Sequence, residues 1–267
     1  MSRGAEPVSS EPNPESPQLT GGTNYALLIA TNNYDSKTWP TLANPIFDAK
    51  TLQSDLRGLY GFQTELLENP TKRELMEALR KYRNMKFSPN DQLMIFIAGH
   101  GKYDEETDEG FLVAKDSLGD DPDEASYIGL ATVRDIVEKT PVNHILLVLD
   151  SCFSGTFDQK ISQAGSRGGA DVYTEISSIE LRERLLKHKS RLYLTSGGKE
   201  YVPDGHPGQH SPFTRKLLEC LRVHGDRGTY ITFETLKESL AVVTPEPRAG
   251  EFGSNDSGGN FMLIAKQ

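Results

Sequence analysis

Two apolar runs constrain this chain more than any other feature. LMIFIA breaks into GHGKY and delivers His100; HILLVLD breaks into SCFSG and delivers Cys152 about fifty residues later. Each run is long enough for one buried strand. In an open parallel α/β sheet the carboxyl ends of the strands form the crevice where ligands bind, so neighbouring strands set the imidazole and the thiol on one rim. That is how a nucleophile and its base are assembled.

The remaining pattern alternates. YALLIAT reads as a strand, PIFDAKTLQSDLRGLYG as a helix closed by glycine, FQTELLE as a second strand and TKRELMEALRKYRN as a helix, with Thr71 and Glu74 spaced as a capping box. QLMIFIA is the third strand. An acidic loop from Tyr103 to Glu124 holds a short hairpin around GFLVAKD, LATVRDIVEKT is a helix, and HILLVLD is the fourth strand. After a Gly-, Ser- and Gln-rich connector come a helix over ISSIELRERLLKHK, the strand RLYLTSG, helices over SPFTRKLLECLRVHG and ITFETLKESLAVV, and a last strand NFMLIAK. Strands and helices at this spacing indicate βαβ units and a mainly parallel sheet.

Composition narrows the function classes. With 36% apolar residues in 267, the chain can build one large core. Residues 1–22, rich in Pro, Ser, Glu and Gly, read as a disordered tail before a domain over 23–267. A net charge of −9 disfavours a nucleic-acid or anionic-membrane surface and suits cationic partners. Two cysteines without a CxxC pair suggest neither a disulfide framework nor a thiolate zinc site. No run of about eighteen apolar residues and no signal-peptide core stands in the sequence, so a soluble cytoplasmic protein is expected.

Cysteine attacks as the thiolate, which a nearby imidazole or exposed backbone donors favour. His100 would accept the Cys152 proton and later return it to a leaving amine, while the amides of Gly101 and Cys152 are the natural oxyanion donors. The alternative for Cys152, a small buried hydrophobe at a strand end, is weakened by AGHG upstream and SG downstream. Asp150, two positions before Cys152, faces the same side of an alternating strand.

NYALLIATNNY, the helix segment containing FDA, IFIAGHG, LLVLDSCFSG, RLYLTSGG and SPFTRKLLECL resemble, in that order, the caspase-like cysteine peptidases (peptidase C14), with bacterial metacaspases and orthocaspases the nearest in pattern. The resemblance runs from about residue 23 to 267. It implies a three-layer α/β/α sandwich on a mostly parallel six-stranded sheet whose last strand is antiparallel. Its parts would be a large-subunit-like region (23–157), a connector (158–175) and a small-subunit-like region (176–267). His100 matches the family's base and Cys152 its nucleophile.

Aspartate-specific caspases carry a Gln-Ala-Cys-x-Gly type motif, whereas this chain reads Asp150-Ser151-Cys152-Phe153-Ser154-Gly155. Phe153 replaces a metacaspase histidine, and Ala98 stands where many members have serine. The resemblance puts Asp150, with Asp48 of the first helix, in the pocket for the residue before the scissile bond. Two carboxylates there suit a guanidinium or ammonium, so cleavage after Arg, less readily Lys, is the expectation, with a protein or peptide exposing such residues as substrate. An ordinary first-turn helix carboxylate is the other reading of Asp48.

Arg167 in the connector is a candidate self-cleavage site. The chemistry requires no cofactor. Calcium, which activates some metacaspases, has its nearest candidate ligands in Asp116, Asp120, Asp121 and Asp158, against the alternative of a solvated acidic loop. Cys220 reads as core packing; His144, His188 and His224 as solvated or capping; His206 and His210 lie in a loop that approaches the active site in the resembled family. A catalytically inactive scaffold of the same fold and a nucleotide-binding α/β protein are the rivals, and the second lacks a complete phosphate-loop motif. Oligomeric state is open.

Overall fold

The computed structural model describes residues 22–151, 183–198 and 202–266. Cys152, Phe153, Asp158 and Arg167 lie outside them, as do the N-terminal tail and the connector. In chain order the elements are β1 (Asn24–Ala30), α1 (Pro45–Tyr60), β2 (Gln63–Glu68), α2 (Lys72–Arg83), β3 (Gln92–Ala98), β4 (Gly101–Asp104), β5 (Glu109–Leu112), β6 (Ile128–Gly129), α3 (Leu130–Glu138), β7 (His144–Asp150), β8 (Ser190–Thr195), α4 (Pro212–Asp226), β9 (Tyr230–Thr232), α5 (Phe233–Leu240), β10 (Arg248–Glu251) and β11 (Met262–Ile264).

Six strands form one sheet in the order β10-β8-β7-β3-β1-β2, parallel except for β10, which runs antiparallel to β8 at the edge. Alternation sorts the side chains of the central strands into two apolar layers. Leu28, Phe96, Leu146 and Val148 pack with Leu52, Phe213 and Leu236 under α1, α4 and α5. Ile29, Ile95, Leu147 and Leu149 pack with Leu79 and Val133 under α2 and α3. Both faces are therefore covered, which is why these strands read as unbroken apolar runs. Among the described residues no helix is long and apolar enough to cross a membrane.

Local chemistry fixes the helices that border the site. Pro45 opens α1, and Gly61 closes it at φ +71°. The Thr71–Glu74 capping box forms, with the Glu74 amide donating to Thr71 and the Thr71 amide donating to Glu74 Oε2 at 2.9 Å. Ser211 caps α4 by accepting from the Thr214 amide at 2.9 Å.

Four details depart from the sequence reading. The hairpin begins at Gly101, directly after His100, and a third strand, β6, joins it. The antiparallel member of the main sheet is the stretch RAGE, while the chain's last strand pairs with β9 in a separate ribbon. The segment expected as one helix over ITFETLKESLAVV gives Ile231 and Thr232 to that ribbon before α5 starts. His144 is buried instead of solvated, and burial lowers its pKa to about 4. Cys220 is buried as expected, its sulfur accepting from Ser239 Oγ at 3.2 Å.

Candidate active site

β3 and β7 are neighbours, with Ala98 in register with Asp150, so their C-terminal ends meet on one rim. Gly99 follows at φ +154°, and a Cβ there would lie 3.0 Å from the Tyr34 hydroxyl, so the glycine lets the chain turn closely past the β1–α1 loop. The His100 amide then donates to that hydroxyl at 2.8 Å, and the hydroxyl donates to the Thr31 carbonyl at 3.0 Å.

The His100 ring is held from two sides. The rings of Tyr34 and Trp39 lie 4.9 and 5.7 Å from it, and Nε2 is 2.7 Å from the Pro40 carbonyl. A carbonyl can only accept, so Nε2 carries the proton and Nδ1 of the neutral ring is left as the basic atom. Burial keeps the His100 pKa below the ordinary imidazole value, partly opposed by the Pro40 hydrogen bond. The ring is therefore neutral at neutral pH and ready to accept a proton.

Beside it, the Val113 amide donates to the His100 carbonyl at 3.0 Å. Antiparallel ladders alternate, and the next pair, Gly101 with Leu112, is consequently the non-hydrogen-bonded kind, which directs the Gly101 N–H away from β5.

Asp150 continues the alternation of Leu146 and Val148, so its carboxylate emerges on the α1/α4 face of the sheet. There Ser211 Oγ and Thr214 Oγ1 donate to its Oδ2 at 2.5 and 2.8 Å. Asp48, 1% exposed, reaches the same place from α1: the Ser211 amide donates to its Oδ2 at 3.1 Å, and His210 Nδ1 lies 2.6 Å from its Oδ1. Burial, and after it the Asp150 charge, pushes the Asp48 pKa up to about 8; burial raises that of Asp150.

Asp204 joins them, accepting from the amides of Ala43 and Asn44 at 2.5 and 3.2 Å. A crevice is lined by Asp48, Asp150 and Asp204 together with Leu42, Ala98, Gly99, His100, Ser151 and Ser211; no Lys or Arg stands among its described lining residues.

The structure thus brings Asp48, Ala98, His100 and Asp150 to one crevice, with Gly101 next to it. Sequence reasoning missed Tyr34, Trp39, the Pro40 carbonyl and Asp204, and gave His210 little weight. Of the calcium candidates, Asp116, Asp120 and Asp121 lie within the described residues. Asp116 accepts from the Lys72 amide and Asp121 from the Ser126 amide, and among the described residues no group of three His, Cys, Asp or Glu could hold a metal ion.

The sequence profile of the caspase domain matches residues 23–246. Among solved structures, caspase-1 from Spodoptera frugiperda superimposes with a TM-score of 0.59, covering 95% of this chain and 96% of that one at 14% identity, a likeness that bears on the fold alone. None of the curated proteins matches. With the profile spanning most of its length and the caspase fold underneath, the chain belongs to the caspase-domain family, peptidase C14, and is by that membership a cysteine-type peptidase.

Proposed function

We propose that the protein is a metacaspase-like endopeptidase that cleaves after Arg, and less readily after Lys. The observation that carries the reading is the crevice itself: Asp48, Asp150 and Asp204 around one cavity beside His100, without a described Lys or Arg to neutralise them. Burial, and after it the charges of Asp150 and Asp204, disfavour ionised Asp48, and a guanidinium would offset both with charge-assisted hydrogen bonds. An aspartyl side chain in that place would add to the repulsion.

In this reading Cys152 attacks the scissile carbonyl as Nδ1 of His100 takes its proton, and the amides of Gly101 and Cys152 stabilise the oxyanion. Collapse breaks the C–N bond, and the imidazolium gives its proton to the departing amine. Water then attacks the thioester with His100 again as base, freeing the acid and restoring the thiol. Nε2–H on the Pro40 carbonyl leaves Nδ1 as the atom that exchanges the proton throughout.

Arg167, in the glycine-rich connector, is the natural site for self-cleavage. Substrates are proteins or peptides exposing a basic residue, in a reducing compartment such as the cytoplasm.

The test compares arginyl with citrullinyl fluorogenic peptides, which differ in charge and scarcely in shape. Arginyl peptides should be preferred about a hundred-fold. Because Asp48 sheds its proton near pH 8 and a cation binds the ionised form, the arginyl KM should fall as pH rises from about 6 towards 8 while the citrullinyl KM stays flat. Equal KM values for the two peptides at every pH would rule the reading out.

A further inference from the structure

The pocket carboxylate of Asp48 meets a histidine that the mechanism does not use. His210 Nδ1 approaches Asp48 Oδ1 at 2.6 Å, and its ring stacks on Phe47 at 4.3 Å with an interplanar angle of 11°. Its backbone sits at φ +65°, a left-handed conformation that costs a non-glycine residue free energy and persists only where the surroundings impose it.

Those surroundings are built for the purpose. Asn44, fully buried at the start of α1, donates from Nδ2 to the carbonyls of Asp204 and His206 at 2.6 and 3.0 Å and accepts from the Gly208 amide at 3.0 Å. All three bonds go to the loop that leads into His210. Gly205, at φ +81°, lets that loop close, because a Cβ there would lie 2.5 Å from the His210 carbonyl. Asp204 in turn ties the loop to the backbone of Ala43 and Asn44.

We propose that His210 is the positioning residue of the basic pocket: its Nδ1–H fixes the Asp48 carboxylate in the orientation that receives the substrate's cation. The inference rests on the basic-pocket reading above. A carboxylate oxygen and a ring nitrogen this close share one proton, and once Asp48 is ionised only the imidazole can donate it. The donated hydrogen bond favours ionised Asp48 and so opposes the burial that would keep it protonated. Packing alone would not require this polarity, since an apolar ring would stack on Phe47 equally well.

The charged groups that bear on the pair are Asp150 on β7, Asp204 on the loop, Asp55 on α1, and Arg215 and Arg222 on α4. None of them is changed in the test.

His210→Gly relieves the left-handed backbone while removing the donor; His210→Asn keeps a donor near the place of Nδ1 and tolerates φ above zero. His210→Gly should raise the arginyl KM about ten-fold with kcat unchanged, and should move the midpoint of its pH dependence upward. His210→Asn should restore most of both, and the citrullinyl KM should follow neither change. A fall in the arginyl KM would overturn the inference by showing His210 to be an obstruction, and so would an unmoved KM and midpoint in a variant that still prefers arginyl peptides. Loss of kcat together with thermal stability in both variants, with the midpoint unchanged, would assign His210 to folding and overturn it equally. Absence of any arginyl preference in the wild type would instead remove the pocket reading beneath it.

Discussion

His100→Ala should lower kcat about a thousand-fold, the scale of removing a positioned general base from a nucleophile pair. Nε2 is committed to the Pro40 carbonyl at 2.7 Å, so Nδ1 is the atom that deprotonates the thiol and protonates the amine. No other described ring or carboxylate replaces it: His210 is engaged with Asp48, and the Asp150 carboxylate is held by Ser211 and Thr214.

The variant should still fold. The His100 amide keeps its hydrogen bond to Tyr34, and what is lost is the ring's hydrogen bond to the Pro40 carbonyl and its contact with Tyr34 and Trp39 at a half-buried position. Measuring kcat alongside the melting temperature separates the two effects. A folded His100→Ala protein with wild-type kcat would place the base elsewhere.

Asp150→Asn should cut arginyl kcat/KM by about a hundred-fold while leaving the citrullinyl value within a few-fold of wild type, because removing one partner of a buried charge pair typically costs 2–5 kcal/mol. The substitution keeps the shape. Its amide oxygen can accept from Ser211 Oγ and Thr214 Oγ1 as Oδ2 does now, so the start of α4 stays anchored. Only the charge goes. Steady-state kinetics on the two peptides checks it, and an arginyl preference undiminished in Asp150→Asn would move the specificity pocket away from β7.

The legible parts of the site are those that a periodicity reaches. Asp150 falls on the α1/α4 face because strand residues alternate, and His100 comes to the same rim because β3 and β7 are both apolar enough to be central. Asp48 is reached through the resemblance of PIFDAKTL to the family, since periodicity alone allows an ordinary first-turn helix carboxylate.

Other parts carry no signal in residue type. The partner of His100 is a backbone carbonyl, and any residue at position 40 would have one. Asp204 meets the amides of Ala43 and Asn44 across about 160 positions of sequence, a contact that only the closed sheet creates. The place of His210 beside Asp48 depends on Asn44, which holds the loop from beneath, and residue type does not show that contact.

The fold shows the same division. RAGE, with one small apolar residue and two charges, carries no strand pattern, yet it completes the sheet through backbone pairing at an edge, where apolar alternation is not required. Gly250 serves that edge directly, since a Cβ there would lie 2.6 Å from the Tyr193 hydroxyl. NFMLIAK has the composition of a sheet strand, but it follows the short β9 and pairs there.

The central claim, a thiol peptidase selecting a basic residue, is tested most directly by a fluorogenic panel that varies only the residue before the scissile bond, using the wild type and Cys152→Ala. Arginyl peptides should be cleaved fastest, lysyl peptides more slowly and aspartyl peptides not detectably, with all cleavage lost in Cys152→Ala. Efficient aspartyl cleavage, or arginyl cleavage that survives in Cys152→Ala, would contradict it.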